Sequence, residues 1–173
     1  MEIVTDLLKI LLPGGLAVYG MYIVTVSFLK KEWEKRVLEL KTKSSDTLLP
    51  IRLQAAERLC LLLERITPNN LVRRVNQGGL TAIELHSLLI NEVREEFNHN
   101  LSQQVYFSEE AWEDVRNSVE QVITLVNRAN KGLSQEALGI ELAKRIFQLS
   151  LENENDVIAR ARKKIKSEIQ VYF

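Results

Sequence analysis

Apolar residues recur at helical spacing along nearly the whole chain, and no convincing period-two alternation interrupts them. The first feature is a run without charge, residues 10–29 (ILLPGGLAVYGMYIVTVSFL), followed at once by Lys30, Lys31, Lys35 and Arg36. Twenty residues at about 1.5 Å each give a helix of roughly 30 Å, the thickness of a bilayer's hydrocarbon core. The run therefore predicts a single transmembrane helix. Pro13, Gly14 and Gly15 interrupt it near its start, so the main span is expected from about Pro13 onward, with a shortened apolar length. A cleaved signal peptide is disfavoured, because neither a basic n-region nor a small-residue cleavage site is present. Lys and Arg concentrate after the run, which by the positive-inside rule puts the N-terminus outside and residues 30–173 in the cytoplasm, at the inner membrane.

Beyond the run the helix is expected to continue to about Leu40, with Trp33, Val37 and Leu40 on one stripe. Residues 1–40 thus read as anchor and stalk, 41–46 (KTKSSD) as a linker, and 47–173 as a compact helical bundle of about five or six helices. The first of these helices spans about 48–66. Leu49, Leu53, Ala56, Leu59, Cys60, Leu63 and Ile66 form its face, and Leu61 and Leu62 widen that face toward burial on more than one side. Thr67-Pro68 ends this helix and starts a short one, PNNLVRRV, with Thr67 as N-cap.

Thr81 and Glu84 form a capping box ahead of a helix whose stripe is Ile83, His86, Leu89, Ile90, Val93 and Phe97. Ser108 caps a further helix, with Glu109 and Glu110 complementing its dipole. Trp112, Val115, Val119, Val122, Val126 and Ala129 keep a seven-residue period there, and Asn130-Lys131-Gly132 is a stop signal. Ser134 is expected to cap the next helix, with Leu138, Leu142, Ile146 and Leu149 inward. A break at 152–156 precedes a last helix from about Val157, carrying Ile158, Ala161, Ile165 and Ile169. Val105-Tyr106-Phe107 is too short to anchor a sheet, and no internal repeat is present.

Charge changes the functional picture more than composition does. The chain balances 23 Lys and Arg against 23 Asp and Glu. Residues 1–29 hold only Lys9, Glu2 and Asp6, so the remainder is nearly neutral, which argues against a general nucleic-acid binder. The single cysteine, Cys60, sits in LCLLL and reads as a buried structural thiol.

Candidate chemistry is sparse. Glu92, Glu96 and His99 fall at i, i+4 and i+7, and Glu96 to His99 is a Glu-x-x-His step of the kind that supplies ligands in di-iron bundles. Such a site needs two of these steps, and the second histidine, His86, lies on an apolar stripe where a hydrogen-bonded core histidine is the better reading. No catalytic triad motif and no phosphate loop is present, so no cofactor is expected. Two charge features remain. One is an acidic window containing Glu92, Glu95, Glu96, Glu109, Glu110, Glu113 and Asp114. The other is a basic stretch, Arg160, Arg162, Lys163, Lys164 and Lys166, which on a tethered domain is placed to touch anionic lipid headgroups.

The stretches LPIRLQAAERLCLLLERITPNNLVRRV (residues 49–75) and LHSLLINEVREEFNHNLSQQVYFSEEAW (residues 85–112) resemble an uncharacterised family of small membrane-anchored helical proteins found in Bacteroidota. ERLCLLLERITPNNL and EFNHNLSQQ are the most specific pieces. The resemblance implies a fold and a location, but no activity, cofactor or catalytic residue.

The expected protein is a single-pass inner-membrane, non-enzymatic scaffold or adaptor, with a protein partner, the inner leaflet as second contact, and homo-oligomerisation open. Its candidate contact residues are Arg73, Arg74, Glu95, Glu96, Asn98, Asn100, Gln103 and Gln104. The alternative from another class is a metal-dependent enzyme or sensor built on Glu92, Glu96 and His99.

Overall fold

Helices account for every regular element in the computed structural model, which describes residues 2–76, 78–134, 136–152 and 156–171, the side chains of 2–10, 12, 13 and 40–46 excepted. In chain order they are α1 (Glu2–Arg65), α2 (Pro68–Val75), α3 (Ala82–Asn100), a 3-10 helix (Leu101–Tyr106), α4 (Glu109–Asn130), α5 (Gly139–Glu152) and α6 (Val157–Gln170). The chain divides into two compact units, Met1–Leu48 and Leu49–Phe173. The stretch 41–46, expected as a linker, is helical along its backbone.

The all-helical expectation holds, but the transmembrane helix is corrected. Among the described residues, no helix is long and apolar enough to cross a membrane. The physical reason is composition: Lys30 and Lys31 close the apolar stretch that follows Pro13, Gly14 and Gly15. Gly14, Gly15, Gly20, Thr25 and Ser27 dilute its apolar character further, and the Thr25 hydroxyl donates back to the Met21 carbonyl at 2.8 Å. The expected orientation rested on that span. Ile10, Leu12 and Pro13, with which the run was expected to open, have side chains outside the described residues.

The core of the second unit follows the stripes. Leu59, Leu62, Leu63 and Ile66 of α1 are fully covered, together with Leu71 of α2, Leu85, Leu89 and Val93 of α3, and Leu142 and Ile146 of α5. Every member of the α4 stripe, from Trp112 to Ala129, is buried. Trp112 also stacks on Phe97 of α3, with ring centroids 5.5 Å apart. On α6, Ala161, Ile165 and Ile169 face the same core. The structure turns some stripe residues outward: Leu53 within α1, Ile83 in the first turn of α3, where Leu85 is buried instead, and Leu138 just ahead of α5.

Helix boundaries follow the capping signals with two exceptions. Thr81 and Glu84 complete the capping box, Ser108 accepts the Ala111 N–H, and Gly132 at φ 86° ends the turn after α4. Thr67 is the N-cap of α2 by position only. Its hydroxyl donates to the Glu64 carbonyl at 2.8 Å and so closes α1 instead. The second exception is Ser134, which does not start α5. The Ala137 carbonyl accepts from Ala82 N–H and Gly139 N–H donates to Leu80, each at 2.8 Å, so these backbone groups are committed to an isolated antiparallel bridge between Thr81 and Leu138. The helix begins only after that bridge, at Gly139.

Candidate functional site

The acidic face of α3 is neutralised by arginines from neighbouring helices. Glu92 and Glu96 lie one turn apart and both point at Arg74 of α2, which reaches across from 18 and 22 residues earlier. Arg74 Nη1 ion-pairs with Glu92 and lies 3.3 Å from Glu96 Oε1, while Arg65 Nη2 of α1 is 2.8 Å from the same Glu96 oxygen. Glu96 is the most covered carboxylate of the three-helix cluster, its side chain only 12% exposed. Two guanidiniums therefore engage Oε1 of Glu92 and Oε1 of Glu96, and His99 stands exposed in the last turn. Among the described residues, no three His, Cys, Asp or Glu side chains are grouped to hold a metal ion. His86 Nε2 lies 2.8 Å from Asn127 Oδ1 of α4, which gives this half-buried ring its partner.

The candidate contact residues separate into three groups. Arg73, Glu95, Asn98 and Gln104 are exposed. Arg74, Glu96 and Asn100 are used internally, the last by donating from Nδ2 to the Glu96 carbonyl at 2.8 Å, which turns the end of α3 into the 3-10 helix. Gln103 is 8% exposed, its amide 3.3 Å from the Ser102 hydroxyl. The 3-10 geometry turns it inward, a direction that the polar run 98–104 does not reveal.

Glu95 and Asn100 share an open groove of about 540 Å³ with Arg58, Leu61, Arg65 and His99. Leu61 is another residue that the stripe pattern misplaces. It was assigned to the widened core face, yet it is 54% exposed in this polar groove. The signal was available: Leu59, Leu62, Leu63 and Ile66 satisfy i, i+3, i+4 and i+7, and Leu61 falls outside that set.

The basic stretch of α6 meets the acidic start of α4. Arg160 pairs with Asp114 at 3.0 Å, Lys164 with Glu110 at 2.7 Å, and Arg162 with Glu64 of α1 at 2.6 Å. The Lys164 hydrogen bond and charge draw the Glu110 carboxyl below its ordinary range, and Glu110 raises Lys164 in return. Farther along, the Glu168 carboxylate accepts from the Ser108 N–H at 3.1 Å and from its hydroxyl, an anion placed at the α4 N-terminus. Lys163 and Lys166 are exposed, and among the described residues neither forms an ion pair. Cys60 is half-buried. Burial pushes its thiol up, and the charges of Lys166 and Arg162 oppose that in part, so it is poorly set to act as a nucleophile.

Residues 2–172 match the model of a family described as a family of unknown function, DUF7935. The chain belongs to that family. The match covers both compact units, so the family shares the N-terminal segment as well as the bundle. No curated protein and no solved structure matches the chain.

Proposed function

We propose that residues 49–173 act as a non-enzymatic scaffold that docks a protein partner in the groove around Leu61. The observation that carries this reading is the exposed leucine in a polar ring: Arg58, Arg65, Glu95, His99 and Asn100 surround it. An apolar centre within a polar rim is the general anatomy of a protein–protein interface. The ion pairs of Arg65 and Arg74 with Glu92 and Glu96 hold the groove wall rigid, which lowers the ordering cost of docking. The neighbouring carboxylates are engaged by arginines, which favours a binding role over metal chemistry there.

The test is affinity purification of the full chain from its native cells, beside Leu61→Glu and Glu95→Lys. A partner retained by the parent chain and lost from Leu61→Glu, with folding unchanged by circular dichroism, supports the proposal. A partner profile identical in all three sinks it.

A second, smaller role is weak contact with anionic lipid, carried by the exposed Lys163 and Lys166. Each basic residue near such a surface adds about 1 kcal/mol. Salt-sensitive binding of the full chain to phosphatidylserine vesicles should fall on Lys163→Glu/Lys166→Glu. Binding unchanged by that double substitution removes this role.

A further inference from the structure

We draw no further inference here: the strongest candidate, the exposed apolar surface of α1 from Leu16 to Val37, carries nothing because its spacing fits more than one register and nothing in the structure shows what covers it.

Discussion

The Leu80 carbonyl accepts the Gly139 N–H at 2.8 Å, and a Cβ at position 139 would lie 2.9 Å from that same oxygen. It would also meet the Leu85 side chain at 3.3 Å. Glycine is thus required where the loop after α4 is clipped to the start of α3. Gly139→Ala should destabilise the second unit by about 1–3 kcal/mol through overpacking. Thermal denaturation of the full chain checks this, and an unchanged midpoint would show that the clip yields without cost.

Trp112 is 6% exposed and stacked on Phe97. Trp112→Ala should cost about 3–5 kcal/mol, a large part of the total for a domain whose stability is typically about 5–15 kcal/mol. Denaturant unfolding measures it. A loss below about 1 kcal/mol would mean that α4 packs differently from the arrangement described.

Arg73 and Arg74 are adjacent in sequence and should respond differently. Arg73 is exposed, whereas Arg74 bridges Glu92 and Glu96. Arg74→Met should lower stability by about 1–2 kcal/mol, because charged hydrogen bonds are lost and Glu96 keeps only Arg65. Arg73→Met should stay within about 0.5 kcal/mol of the parent chain. Similar losses for both would remove the bridging role assigned to Arg74.

Two carboxyls, Glu84 and Glu110, sit below their ordinary range in the folded chain, Glu84 through the Thr81 N–H and hydroxyl and Glu110 through Lys164. A depressed folded-state value means their stabilisation is present above the unfolded value, about 4.3, and is lost as pH falls through the folded one. Stability should therefore decline below about pH 4 and less steeply in Glu84→Gln/Glu110→Gln. Lys164 is raised, so its contribution is complete below about pH 10.4 and fades only as pH rises beyond that through its folded value. Midpoints measured from pH 2 to 7 in the parent and the double variant decide the acid limb; parallel curves would discard it.

What the sequence by itself determined is local. Caps and stops are short-range chemistry, so Thr81 with Glu84, Ser108 and Gly132 mark boundaries without knowledge of the fold. The α4 stripe is equally legible, because a helix that keeps one apolar face must bury it, and all its members are buried. The tertiary structure alone decided what meets what. The acidic window and the basic stretch read as two separate charge features, the second facing lipid, yet Asp114 with Arg160 and Glu110 with Lys164 join them across 46 and 54 residues. Arg74 reaches Glu92 and Glu96 from another helix, which turns a metal-like spacing into an ion-pair cluster. Leu61 faces outward, and the bridge between Thr81 and Leu138 delays α5 beyond Ser134. The uncharged run showed the same limit, since apolarity along a chain states that a surface avoids water and does not state what covers it. Partners distant in sequence are chosen by packing geometry, and a one-dimensional pattern carries no term for that.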